Sequence, residues 1–377
     1  MVSRADCIVN RHGVLYTDTH ILSGMKSGKT VLILGVNGFI GHHLLRRILD
    51  TTNWHVIGLD VSDDRVEKDK GNKRFEFFKA DMTKESALVE SLVKRSDVVL
   101  PLAGIANPQI YITDPLRVFE LDFEANLPIV RHCVAYEKRV LWPSTSEVYG
   151  MSSDKEFHPD TSLLVTGPIN KVRWIYSTSK QLMDRIIWSY GKDRGLDFTL
   201  FRPFNWIGIG LDSINNQKKD GGARVITQFL GNILRGENLN LVDGGAQRRS
   251  FTHVDDSMDA LMTIIENPGG IATGKIYNIG NPDNNHSIRE LAEMLITMAP
   301  AYPYFKEHAG KVKAVTIDSN EHYGGGYQDV QNRTPHIENT KKDLNWKPKV
   351  SMQRALEQTF EAYIEYLDLA QNAIYNK

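Results

Sequence analysis

The sequence predicts an α/β fold in which a doubly wound parallel sheet carries a smaller C-terminal α/β lobe. Three observations predict it. From Lys29 onward, short runs rich in Val, Ile and Leu alternate with helical patterns. The runs lack the polar alternation of half-exposed strands, so both faces are covered. A glycine-spaced turn joins the first run to the first helix.

The first run is "TVLILG", and the helical pattern after it is "FIGHHLLRRILDTT". "HVIGLD", "FEFFKAD", "DVVLPLAG", "RVLWPSTS" and "DFTLFRP" continue the series as buried strands. Amphipathic stretches at 83–94, 117–136 and 176–193 are long enough to be crossover helices between parallel strands. After about Asn205 the pattern loosens: "GIGLDSINNQKKDGGA" is a polar loop and 224–235 is helical. "LNLVDGGAQRRSFTHVDD" reads as strand, turn and strand, and "KIYNIGN" as a further strand. The expected divisions are an N-terminal extension at 1–26, a sheet domain at 27–204 to which segments such as 250–282 return, and a lobe at 205–377. There is no internal repeat, and the glycine-rich "HYGGGYQDVQNR" at 322–333 is the other conspicuous loop.

A chain of 377 residues with 41% hydrophobic content can bury a full core. Lys and Arg number 45 against 46 Asp and Glu, a net charge of −1, which excludes a general attraction for nucleic acid or anionic lipid. Any anion has to be bound locally. Cys7 and Cys133 are too few for a disulfide framework or a zinc site and fit a reducing cytoplasm. No window approaches about 18 consecutive apolar residues, and the N-terminus lacks the apolar run of a secretory signal. The expectation is a cytoplasmic protein with no membrane span and no metal, for which Met25 is a second candidate start.

"LILGVNGFIG" places Gly35, Gly38 and Gly41 in a GxxGxxG spacing between the first strand and the first helix, with Asn37, Phe39 and Ile40 among them. Glycine lets backbone approach a pyrophosphate, whose charge the helix N-terminus stabilises, so the fold is of the Rossmann type. The second strand ends at Asp60, 19 residues after Gly41 and close to the roughly 20 expected of a carboxylate that binds the adenosine ribose. A carboxylate there repels a 2′-phosphate and favours NAD over NADP; the plainer alternative is that Asp60 caps a turn. "KAD" ends at Asp81 before Met82, and "PLAG" holds Leu102, Ala103 and Gly104, all at the sheet edge where such a cofactor lies.

"YSTSK" spaces Tyr176 and Lys180 four residues apart, on one face of a helix. A lysine ammonium beside a phenol favours the phenolate and lowers the tyrosine pKa toward that of a usable base. "LWPSTSEVYG" crowds Thr145, Ser146 and Glu147 at the end of a strand.

Glycine turn, strand-end hydroxyl and Tyr-x-x-x-Lys together resemble the extended short-chain dehydrogenase/reductase family over residues 29–370. That resemblance implies NAD and a nucleotide-sugar substrate. It implies that Thr145 orients a sugar hydroxyl, that Tyr176 removes its proton, and that Lys180 holds the nicotinamide ribose. Sugar 4,6-dehydratases of the family carry Thr-Asp-Glu where this chain has Thr145-Ser146-Glu147, and the loss of that Asp weakens a dehydratase reading. "PSTSEVYG", "NKVRWIYSTSKQLMDR", "TLFRPFNWIG", "ITQFL", "LVDGG" and "GYQDVQNR" are similar to ArnA-type UDP-glucuronic acid decarboxylases and standalone bacterial UDP-4-keto-pentose/UDP-xylose synthases.

The closer resemblance implies oxidative decarboxylation of UDP-glucuronate to UDP-4-keto-pentose, with UDP-xylose by internal hydride return, or another dehydratase or epimerase reaction, as alternatives. Arg333 matches the family's essential arginine, and Ser146 and Glu147 match residues assigned to decarboxylation and proton transfer. For Glu147 the alternative is an ion-pair partner of an arginine such as Arg173. Ala106, Tyr111, Thr145, Ser146, Arg173, Asn205, Arg224, Asn240, Leu241, Val242, Gln247, Arg249 and Tyr327 match positions that bind the UDP-sugar. "GGAQRR" stands where the family has "GGKQKR", so Ala246 replaces one lysine. The short extension in place of a formyltransferase domain leads to the expectation of a single activity, and the resemblance also implies a homodimer through the helices at 117–136 and 176–193.

Overall fold

The computed structural model describes residues 28–212, 214, 223–319 and 328–375. The expectations for residues 1–26, with Cys7 and Met25, and for Tyr327 lie outside the described residues. The chain opens with β1 (Thr30–Leu34), α1 (Phe39–Thr51), β2 (His55–Asp60), β3 (Phe75–Lys79), α2 (Ser86–Arg95) and β4 (Val98–Pro101). In β1, Val31 and Ile33 enter one core cluster with residues of α1, while Leu32 and Leu34 enter another with residues of α2. That is why the strand shows no polar alternation.

Next come α3 (Pro108–Thr113), α4 (Pro115–Phe119), a π-helical turn (Glu120–Glu124), α5 (Leu127–Ala135), β5 (Arg139–Pro143), α6 (Trp174–Arg194) and β6 (Phe198–Pro203). The stretch 117–136 is therefore not one helix, a correction to the sequence expectation. Pro128 cannot donate to the carbonyl four residues back and its ring crowds that position, so a regular α-helix does not run through it. Asn107 and Asp114 cap the starts of α3 and α4, each followed by a proline in the first turn.

The remainder comprises β7 (Trp206–Ile207), α7 (Val225–Arg235), β8 (Leu239–Val242), β9 (Arg248–Ser250), β10 (Thr252–His253), α8 (Val254–Glu266), β11 (Lys275–Ile279) and β12 (Asn285–Ser287). It ends with α9 (Ile288–Met298), α10 (Lys306–Ala309), β13 (Ala314–Ile317), α11 (Glu338–Leu344) and α12 (Met352–Tyr375). The strand-turn-strand expected at 239–256 is three short strands that pair elsewhere. β8 runs parallel to β13, β9 antiparallel to β12, and β10 parallel to β7. Gly244 and Gly245, both at positive φ, turn the chain away so that β9 does not fold back on β8.

The main sheet has seven parallel strands in the order β3-β2-β1-β4-β5-β6-β11. Successive connections run in opposite directions from β1, which opens a crevice at the carboxyl ends of β1 and β4. The later half packs onto the same sheet: one core cluster runs from Val31 and Leu44 through Phe229 and Leu291 to Phe360.

Beneath the crevice lies a buried polar network. Asp184 of α6 accepts from Trp142 Nε1 (3.1 Å), Ser144 Oγ (2.7 Å) and Arg202 Nη2 (3.2 Å). Arg202 Nη1 donates to the Tyr149 hydroxyl at 2.9 Å, which itself donates to Asn278 at 2.7 Å. The network ties β5, β6, β11 and α6 together. Replacing Arg202 with Ala leaves Asp184 buried without its cation, and a loss of roughly 3–5 kcal/mol in unfolding free energy is expected by urea denaturation.

Candidate active site

The cofactor side of the crevice begins at Gly35, where φ is +90°. A Cβ at Gly35 would lie 2.7 Å from the backbone nitrogen of Ala103, and one at Gly41 only 2.3 Å from the carbonyl oxygen of Gly35. Both positions require glycine. Gly38 caps α1 in extended conformation, and no side chain accepts from the N–H groups of the first turn. Free N–H groups at a helix start are what a phosphate binds.

The carboxylate of Asp60 accepts from the backbone N–H of Asn37 (2.9 Å) and of Ser62 (3.1 Å). It does stiffen a turn, yet a carboxylate has about four acceptor positions and keeps room for ribose hydroxyls. The Asn37 side chain is committed to the next loop: it donates to Ser62 and Asp64, both at 2.8 Å, and accepts from the Arg65 N–H at 2.9 Å. Asn37 reaches the crevice only through its backbone. Asp81 accepts from the Thr83 hydroxyl (2.7 Å) and N–H (3.0 Å), bonds that hold its carboxyl below the usual carboxylate range, and Met82 packs into the core. The N–H groups of Leu102 and Ala103 both donate to Leu34 at 2.8 Å, which fixes the strand-end loop beside Gly35.

On the chemical side, Thr145 follows β5 by two residues, and its hydroxyl accepts from the Glu147 N–H at 3.2 Å and so caps a short 3-10 turn (Ser146–Tyr149). Gly150 ends the turn at positive φ, where a Cβ would strike the Val165 carbonyl at 1.9 Å. Two hydroxyls and a carboxylate are thereby presented together. Tyr176 stands beside Thr145 and Tyr111 in the cleft, and the two tyrosine rings stack at 4.5 Å.

In this structure Lys180 pairs with a carboxylate rather than with the phenol. Its Nζ sits 3.1 Å from Asp122 Oδ1, 4.4 Å over the Trp142 ring and 6.0 Å from the Tyr176 ring centroid. Burial, followed by the Asp122 and Glu147 carboxylates, pushes the Tyr176 phenol up from its ordinary value rather than down. The lysine charge is spent on Asp122.

Glu147 joins two arginines from distant segments. Its Oε2 lies 2.5 Å from Arg173 Nη2 and its Oε1 2.9 Å from Arg333 Nη1. Burial alone would raise this carboxyl, but Arg173, Arg333 and Arg249 outweigh it and hold the pKa at about 2. Arg333 is brought there by a clasp: the Phe157 N–H donates to Thr334 O (2.8 Å), the His336 N–H to Phe157 O (3.0 Å), and Trp174 Nε1 to Gln328 (3.0 Å). Arg249 is held by Asp329 at 2.6 Å.

Part of this set lines one cleft of about 620 Å³, whose lining does not include Gly35, Asn37, Gly38, Gly41, Asp60, Asp81, Met82 or Ala103. Phe39, Ile40, Leu102 and Gly104 meet it from the cofactor side; Thr145, Ser146, Glu147, Arg173, Tyr176, Lys180 and Arg333 stand at its centre; Ala106, Tyr111, Asn205, Arg224, Asn240, Val242, Gln247 and Arg249 also line it. Leu241 does not: its side chain is fully buried in the core because β8 alternates its faces. Sequence reasoning missed Asp122, Gln228, Phe251 and Asp329, which share the lining. Asp122 had a signal, an acid on the buried stripe of Val118 and Ile129. Among the described residues no group of three His, Cys, Asp or Glu could hold a metal ion, and no helix is long and apolar enough to cross a membrane.

A parallel sheet with a glycine cradle at its switch point and Thr145, Tyr176 and Lys180 beside it forms a dinucleotide-binding cleft. Residues 31–280 match the NAD dependent epimerase/dehydratase family, and the chain belongs to that family. It is 57% identical to the PbgP3 protein from Burkholderia pseudomallei, with a TM-score of 0.81 over 89% of this chain and 96% of that one. UDP-glucose 4-epimerase from Thermotoga maritima shares the fold at 22% identity (TM-score 0.72, 90% of this chain, 99% of that one). UDP-glucuronic acid 4-epimerase from Bacillus cereus, solved with UDP-glucuronic acid and NAD, does so at 21% (TM-score 0.73, 89% and 99%). The cofactor is NAD, and the Gly35–Ala103 approach, the open start of α1 and the Asp60 carboxylate fit it.

The depressed Glu147 pKa fixes the sign of a pH effect. Stability from its ion pairs is fully present above the ordinary value of 4.5 and is lost as pH falls toward about 2. Glu147→Gln is therefore expected to be less stable than wild type at pH 7, with the gap in denaturation midpoint narrowing at pH 3. A gap independent of pH would contradict the assignment.

Proposed function

We propose that the chain is an NAD-dependent UDP-glucuronic acid decarboxylase that forms UDP-4-keto-pentose and carbon dioxide. The observation that carries this reading is the Glu147 carboxylate held between Arg173 and Arg333 in the same cleft as Thr145 and Tyr176. Two arginines aimed at one carboxylate form a site for a second carboxylate, such as that on carbon six of a uronic acid. The Bacillus cereus epimerase with UDP-glucuronic acid supports the capacity of the fold for that substrate.

The chemistry follows from these positions. Thr145 orients the sugar's 4-hydroxyl and Tyr176 accepts its proton. NAD supplies the acceptor for the hydride that leaves carbon four. The product is a β-keto acid, whose carboxylate leaves as carbon dioxide because the adjacent ketone accepts the electron pair. Arg333 and Arg173 hold the carboxylate until that bond breaks and face the enolate that follows. Ser146 and Glu147 are assigned together to decarboxylation and the reprotonation of carbon five. Arg224 and Arg249 suit the diphosphate, since planar guanidinium donors meet two oxygens at once. The enzyme works as a cytoplasmic homodimer.

UDP-xylose is the product if the hydride returns to carbon four before the keto sugar leaves. A 4,6-dehydratase is disfavoured because the position of its acid is Ser146.

Tyr176→Phe is expected to cut NADH formation by roughly 10²–10⁴-fold while NAD binding by calorimetry stays intact. Wild-type NADH formation by that variant would refute the base assignment. Arg333→Met is expected to slow carbon dioxide release by roughly 10²–10³-fold with UDP affinity unchanged. Weakened UDP binding at an unaltered rate of release would assign Arg333 to binding instead.

A further inference from the structure

Asp122 sits on the π-helical turn and is 1% exposed. A buried charge is costly unless paired, and a helix face packed on an apolar core has no need of one. Both its oxygens meet parts of the active site. Oδ1 lies 3.1 Å from Lys180 Nζ, and Oδ2 accepts from the Ile105 N–H at 2.9 Å. Ile105 stands between Gly104 and Ala106, which line the cleft. A Cβ on Gly104 would come within 2.5 Å of Asp122 Oδ1, so the loop, the acid and the lysine are fitted to one another. The Asn126 side chain closes the turn by donating to Leu121 O at 2.7 Å. Such π turns recur at functional sites.

We propose that Asp122 is a positioning residue that decides when Tyr176 can act as a base: by pairing with Lys180 it keeps the phenol protonated until a further positive charge enters the cleft. NAD carries that charge on its nicotinamide ring in the oxidised form and lacks it in the reduced form. The inference rests on the oxidation step proposed above. A carboxylate beside the ammonium cancels the field that the lysine would otherwise put on the phenol. The other groups around the phenol are Tyr111 from α3 and Thr145 and Glu147 from the turn after β5, while Arg173, just before α6, acts on Tyr111. Glu147 is compensated by its arginines and Asp184, further along α6, by Arg202. Asp122 therefore sets the local balance.

Asp122→Asn keeps the side-chain shape and an acceptor for the Ile105 N–H while removing the charge. Two readouts test it: phenolate absorbance of the NAD-loaded protein against pH, with Tyr176→Phe as background, and the pH profile of single-turnover NADH formation. Both midpoints are expected to move to lower pH by about one unit. A folded variant with unmoved or raised midpoints overturns the proposal. If the Asn variant does not fold, Asp122→Ser is read in the same way, and failure of both to fold assigns the residue to stability alone and also overturns it. If wild type does not oxidise UDP-glucuronate, the functional reading falls, whereas the phenolate titration still decides the role of Asp122.

Discussion

The site depends on one buried carboxylate shared by two arginines. Glu147 follows β5, Arg173 immediately precedes α6, and Arg333 belongs to a segment near the C-terminus. None of the three charges is tolerable alone in so buried a place, so each requires the other two. That requirement explains the clasp between Phe157 and the 334–336 segment, the Trp174–Gln328 bond and the left-handed Gly150, all of which bring remote backbone to one point. It also supports the proposed carboxylate substrate, because both arginines are already aimed into the cleft.

α6 is the beam on which the rest is hung. Arg173, Tyr176, Lys180 and Asp184 recur at helical spacing, and each meets a different part of the chain. Arg173 meets Glu147, Tyr176 meets Thr145, Lys180 meets Asp122, and Asp184 meets Arg202. A shift of the helix by one residue would break all four contacts. The reacting groups are thus held by ion pairs below them as well as by the apolar packing of Met183 and Ile187.

Much of this was legible in the sequence because it is periodic or local. Unbroken runs such as "TVLIL" gave the parallel strands, and the glycine spacing gave the turn that only residues without a side chain can make. Tyr176 and Lys180 could be paired because four residues span one helical turn. What sequence could not give were facts set by long-range packing. The partner of Lys180 comes from a π turn whose existence depends on how Pro128 is accommodated. The pairing of β8 with β13 depends on residues some 75 positions away. Leu241 was assigned to the cleft by resemblance, yet strand alternation turns it into the core, and Asn37 spends its side chain on a loop that no motif describes. Arg333 was placed beside the site by resemblance, and the geometry gives the physical reason, its pairing with Glu147.

We propose that this cleft oxidises and decarboxylates a UDP-linked uronic acid. The most direct measurement is to incubate the purified protein with UDP-glucuronate and NAD, follow NADH by absorbance, and identify the nucleotide sugar by mass spectrometry and NMR. The expected result is carbon dioxide with UDP-4-keto-pentose and an equal amount of NADH, or carbon dioxide with UDP-xylose and no net NADH if the hydride is returned. Turnover of UDP-glucose with none of UDP-glucuronate would contradict it.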